Sequence, residues 1–124
     1  MYRMTTCPAF EKDTLRLLVS ELGPEDTAEV LQAFLDDTGR KIGALAAIPP
    51  DPALFRREAH SIKSSAGTFG FLELSGLALS VEQDALRMTP DQLARAAAAL
   101  GEVFERTADF ARSVLLASNM EIAR

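Results

Sequence analysis

Proline and glycine interrupt this chain at four places, and those breaks constrain its fold more than any other feature. They fall at Gly23-Pro24-Glu25-Asp26, Pro49-Pro50-Asp51-Pro52, Gly70 and Thr89-Pro90-Asp91-Gln92. Proline suits the first turn of a helix, where its missing N–H has no partner to lose, and acidic residues beside it favour the positive end of the helix dipole. Asp51 supplies an N-cap ahead of Pro52, and Thr89 with Gln92 spells a capping box around Pro90. Gly70 fits a C′ position with positive φ. The breaks therefore mark helix ends.

Between them, apolar residues recur with helical period. Leu15, Leu18, Val19 and Leu22 fall at i, i+3, i+4 and i+7 and predict a short first helix. The second is expected to run from Pro24 to about Ile48, burying Thr27, Leu31, Phe34, Leu35, Thr38, Ile42 and Leu45, although Gly39 and Gly43 each cost about 1 kcal/mol relative to alanine. In the third, Phe55, Ala59, Ile62, Ala66 and Phe69 lie within roughly 80° of one another. The fourth takes Phe71 to about Met88 on Leu74, Leu77, Ala78, Val81 and Ala85. The fifth buries Leu93, Ala97, Leu100, Phe104, Thr107, Ala111 and Val114, widened by Val103, Phe110 and Leu115, and ends near Ser118. No stretch alternates as a strand would. The expected fold is all-α: an antiparallel up-and-down four-helix bundle of helices two to five, with an additional short N-terminal helix as a cap and a loose arm over residues 1–9.

Composition narrows the function classes. A length of 124 residues suits a single domain over 1–124, and no repeat or linker divides it. A formal charge of -5, with no basic run, argues against wrapping nucleic acid or lying on an anionic membrane. One cysteine, Cys7, and one histidine cannot assemble a zinc site or an internal disulfide, so no metal is expected. No window approaches the roughly 18–20 apolar residues of a membrane span, and the N-terminus lacks a signal-peptide run, so a cytoplasmic location is expected. Asp36-Asp37 reads as a solvated edge, because adjacent helical residues do not face each other.

The only histidine, His60, lies opposite the buried stripe of the third helix, together with Arg56, Lys63, Ser64 and Gly67. A lone exposed histidine is most often an ordinary surface residue; its neighbours set this one apart. Neutral imidazole is a good nucleophile, and its ordinary pKa of about 6.5 leaves it unprotonated in the cytoplasm. Lys63 at i+3 brings positive charge toward whatever is attached to the ring, as a phosphoryl group requires. Gly67 at i+7 leaves a notch through which another macromolecule's backbone can approach. A small-molecule enzyme would place its nucleophile in a pocket instead, so the pattern favours docking.

The stretch Ala59-His60-Ser61-Ile62-Lys63-Ser64-Ser65-Ala66-Gly67-Thr68-Phe69-Gly70-Phe71 resembles the signature of histidine-containing phosphotransfer (HPt) domains, most of all the N-terminal phosphotransfer domain of chemotaxis histidine kinases. That resemblance, strongest over residues 55–85, implies that His60 is phosphorylated on Nε2 and passes the group to an aspartate of a response-regulator receiver domain. It implies Lys63 as charge partner, Gly67 and Gly70 as the small residues of approach and turn, and Glu82 as the glutamate that bonds the other ring nitrogen. The periodicity separately puts Glu82 at the flank of the fourth helix's stripe. A carboxylate at Nδ1–H would fix the tautomer and leave Nε2 as the nucleophile.

The sequence departs from that family at Ser64 and Ser65, where glycines are usual, and at Leu79, where the chemotaxis domain often has a second histidine. Serine narrows the notch and adds a hydroxyl. No Gly-x-x-x-x-Gly-Lys-Ser/Thr stretch holds a nucleotide, so no autonomous kinase or ATPase activity is expected, and the phosphodonor is expected to be another chain. The implied partners are a receiver domain or a histidine kinase, with Arg56, Ser64 and Gly67 as contacts. Catalytic Mg²⁺ would belong to the receiver, no cofactor is expected here, and the protein is expected to be a monomer. The alternative is a binding module that docks a receiver or kinase through the same face without transfer. A dimeric kinase hairpin fits less well, since it expects an acidic residue where Ser61 stands.

Overall fold

The computed structural model describes residues 9–121. It comprises α1 (Lys12–Leu22), α2 (Pro24–Ala44), α3 (Pro52–Thr68), α4 (Leu72–Asp84) and α5 (Pro90–Phe110). A 3₁₀ turn, Ala85–Arg87, follows α4, and a π-helical turn, Ala111–Leu116, continues α5. Each of helices α2 to α5 packs on the next, and α5 closes back on α2, while α1 lies against α2. The result is the all-α bundle that the stripes predict, and α3 and α4 share its most extensive interface.

The core follows the stripes closely. Leu31 and Leu35 of α2, Phe55 and Ile62 of α3, Leu74 of α4, Leu93 and Leu100 of α5 and Leu15 of α1 are all buried. Each such side chain contributes about 1.5–3 kcal/mol relative to exposure. Ile42, Leu77, Ala97 and Val114 lie at the stripe edges and are only partly covered. Leu22 is 43 % exposed, because α1 ends there, at the rim of the bundle.

Helix ends form by the chemistry written at the breaks. Asp51 accepts from the N–H groups of Ala53 and Leu54 (3.0 and 3.3 Å), and the Thr89–Gln92 capping box is reciprocal (3.1 and 2.8 Å). At the end of α3, Gly70 has φ +81°, its N–H donates to Gly67 O, and Phe71 N–H donates to Ala66 O. This pair of bonds is a Schellman closure.

Two boundaries differ from expectation. α2 stops at Ala44 rather than near Ile48, because Leu45 and Ala46 turn back onto Ile42 and Gly43 with tighter i→i−3 bonds before the prolines are reached. α4 narrows to a 3₁₀ turn three residues before the expected end at Met88. The fifth helix closes near Ser118, as expected, in a second Schellman turn, with Asn119 N–H on Leu116 O and Met120 N–H on Leu115 O, and the turn buries Met120. Asn119 there has φ 54°.

Of the arm expected over residues 1–9, residues 1–8, Cys7 among them, lie outside the described residues. Ala9 accepts from Leu72 N–H (3.0 Å) and Glu11 N–H donates to Gly70 O (2.8 Å), so Phe10 and Phe71 form a single antiparallel bridge. Phe10 packs its ring 5.8 Å from Phe71 and 5.0 Å from Phe110. This strap ties the entry of α1 to the α3–α4 turn.

Candidate functional site

The buried stripe of α3 fixes which of its residues face outward. With Phe55, Ala59, Ile62 and Ala66 in the core, His60 must stand on the surface one turn from Arg56, and its side chain is 62 % exposed. The stripe of α4, through Leu74, Ala78 and Val81, turns Glu82 toward α3.

Glu82 is shared between two partners. One carboxylate oxygen, Oε2, lies 2.6 Å from His60 Nδ1, and the other, Oε1, accepts from Lys63 Nζ at 2.7 Å. The Lys63 hydrogen bond first, and the His60 bond next, hold the Glu82 carboxyl below the usual carboxylate range, against a smaller opposing effect of desolvation. An ionised carboxylate only accepts, so Nδ1 carries the proton and donates it to Glu82. In the neutral ring this leaves Nε2 as the nitrogen with the free lone pair. The arrangement holds an exposed imidazole in a fixed orientation, and a neutral imidazole so held can act as a nucleophile at Nε2.

The remaining expected residues are placed less uniformly. Ser64 is exposed on α3 beyond Lys63. Ser65 turns inward and donates its hydroxyl to Ser61 O (2.6 Å), so it presents no donor outward. Gly67 sits half-buried against α4, where an added Cβ would lie 3.6 Å from Ser75 Oγ, an ordinary contact. Packing therefore does not require glycine there. Ser75 donates to the carbonyl of Lys63 (2.9 Å) and pins α4 to the turn of α3 that carries the lysine.

Open grooves flank the imidazole. One is lined by Arg56, Lys63, Glu82, Leu86 and Arg87, and the other by Arg56, Arg57, His60, Glu82 and Leu86. Leu79 and Leu86 are 39 % and 59 % exposed, so an apolar margin borders the charged site. Leu86 and Arg87 were not singled out in the sequence. The available signal was an apolar residue directly after the inward-facing Ala85, on the side away from the stripe. Among the described residues no group of three or more His, Cys, Asp or Glu is placed to hold a metal ion, and no helix is long and apolar enough to cross a membrane.

A family model described as Hpt domain matches residues 29–110, about two-thirds of the chain. The match begins in α2 and ends with α5, so it contains every residue of this site. Searches of curated proteins and of solved structures found no match.

Proposed function

The chain belongs to the Hpt domain family, whose members have a phosphotransfer role in two-component phosphorelays, and from this we propose that it carries a phosphoryl group on His60 between a kinase or receiver domain and a response-regulator aspartate. The observation that carries the reading is the 2.6 Å bond from His60 Nδ1 to Glu82, which leaves Nε2 as the exposed lone pair.

In the proposed step, the Nε2 lone pair attacks the phosphorus of an acyl phosphate on the partner. The P–O bond to the partner's carboxylate breaks, and the carboxylate leaves with the electron pair. The Nδ1 proton stays in place, and the positive charge that develops on the ring faces Glu82, which stabilises it. Transfer onward is the same step reversed. Mg²⁺ belongs to the receiver, and no nucleotide is turned over by this chain. The partner sits on the α3–α4 face around Arg56, Ser64 and Gly67, with a monomer as the working form in a cytoplasmic setting.

The test is incubation with phosphorylated receiver or kinase domains from the source organism and detection of acid-labile label. Label on the wild type that disappears in His60→Gln is expected; label that survives this change, or none with any partner, rejects the reading. Ser64 on the proposed docking face favours one second reading, a module that binds without transfer. Tight receiver binding with no phosphohistidine, under conditions that label a control Hpt domain, would select it.

A further inference from the structure

Four cations rim the imidazole, and three of them are already engaged. Lys63 donates to Glu82 at 2.7 Å, Arg87 pairs with Asp84 at 2.6 Å, and Arg57 lies 3.3 Å from Glu58. Of the four, Arg56 has no carboxylate partner among the described residues. It precedes His60 by one helical turn and lines both flanking grooves, one beside Lys63 and one beside the imidazole itself.

A phosphoryl group on Nε2 would bring about two negative charges close to the ionised Glu82. Those charges need a cation whose donors are not committed elsewhere. Lys63 is a compact point charge already bound to the carboxylate that orients the ring, and drawing it fully onto the phosphoryl group would weaken its hold on Glu82. A guanidinium offers a planar fork that matches two phosphoryl oxygens, and the long side chain of Arg56 is free to swing toward Nε2.

We infer that Arg56, rather than Lys63, is the side chain that contacts and neutralises the phosphoryl oxygens on His60. Lys63 then acts one step back, as a positioning residue for Glu82. The inference rests on the phosphotransfer reading of His60 and assigns Arg56 a part in the chemistry in addition to any docking contact.

The experiment needs no partner. The full chain is phosphorylated with potassium phosphoramidate, in which Nε2 attacks phosphorus, the P–N bond breaks and ammonia leaves, and the phosphoryl titration is followed by ³¹P NMR. Arg56→Gln is expected to raise the titration midpoint by about one pH unit, since a nearby cation favours the dianion. Arg56→Lys should restore most of the shift, and Lys63→Gln should move the midpoint less than Arg56→Gln does. An unchanged midpoint in Arg56→Gln, as a pure docking contact would give, overturns the inference, as does a larger movement in Lys63→Gln. Loss of the phosphorelay reading would show separately, as absence of label from every receiver and kinase while this titration still reports on Arg56.

Discussion

Glu82 gives one oxygen to His60 and the other to Lys63, so its charge controls which ring nitrogen is available. Replacing it with glutamine keeps the shape and removes the charge. In Glu82→Gln the ¹⁵N shifts of the imidazole are expected to show the Nδ1–H tautomer losing its dominance, and phosphoryl uptake should fall about ten- to a hundredfold, the usual cost of losing an orienting carboxylate. Acid breaks the same contact in the wild type. The carboxyl of Glu82 is held low in the folded protein, so its contact is present above the ordinary carboxylate range and is lost as pH falls through that depressed value. The Glu82 carboxyl carbon is expected to titrate below the ordinary carboxylate range in ¹³C NMR and to move up toward it in Lys63→Gln; an unchanged titration in that variant would show that the lysine bond does not hold it down.

At the scale of elements, the two glycines of the signature have different physical roles. Gly70 has φ +81°, and a Cβ there would also run into the Glu11 carbonyl of the strap. Gly70→Ala is expected to lose about 2 kcal/mol or more in denaturant unfolding, from the left-handed backbone and the clash together. Gly67 lies inside α3 with only an ordinary contact waiting for a methyl group. Gly67→Ala should therefore be no less stable than wild type, gaining up to about 1 kcal/mol in helix propensity. If the notch receives a partner, the same variant should still transfer phosphate more slowly. A Gly67→Ala protein that is both stable and fast would leave the notch without a function.

For the whole molecule, Arg106 of α5 grips Glu73 of α4 with two bonds of 2.8 Å, a bidentate tie between helices that meet along a modest interface. The Arg106 hydrogen bonds hold the Glu73 carboxyl below its ordinary range, and the pair raises Arg106 in return. Both side chains are about a third exposed, so solvent screens much of the attraction. The sign is still defined. A depressed carboxylate contributes stability above its unfolded pKa and loses it as pH falls through the folded one, whereas Arg106 stays charged throughout. The melting temperature of Glu73→Gln is expected to lie below that of wild type at neutral pH, with the gap closing as pH falls through the depressed folded value of Glu73. A gap that stayed constant across that range would mean the tie acts through packing alone.

Much of this was legible in the sequence. The prolines, glycines and caps located most helix ends, and the stripes named nearly every core residue, because both depend on chemistry within a few residues of chain. The stripes also put His60, Lys63 and Arg56 on one outer face. The end of α2, the narrowing after α4 and the burial of Met120 were not legible, since competing turns near a terminus differ by little and tertiary contact chooses among them. Periodicity placed Glu82 at a flank but could not give its register against α3. That register follows from how side chains interlock across the α3–α4 interface, helped by the bond from Ser75 to the Lys63 carbonyl. The sequence by itself determined that a histidine stands exposed on a helix among cations. Only the tertiary structure decided which cation is tied to Glu82 and which has no carboxylate partner among the described residues, because an ion pair depends on distances between elements that local sequence does not encode.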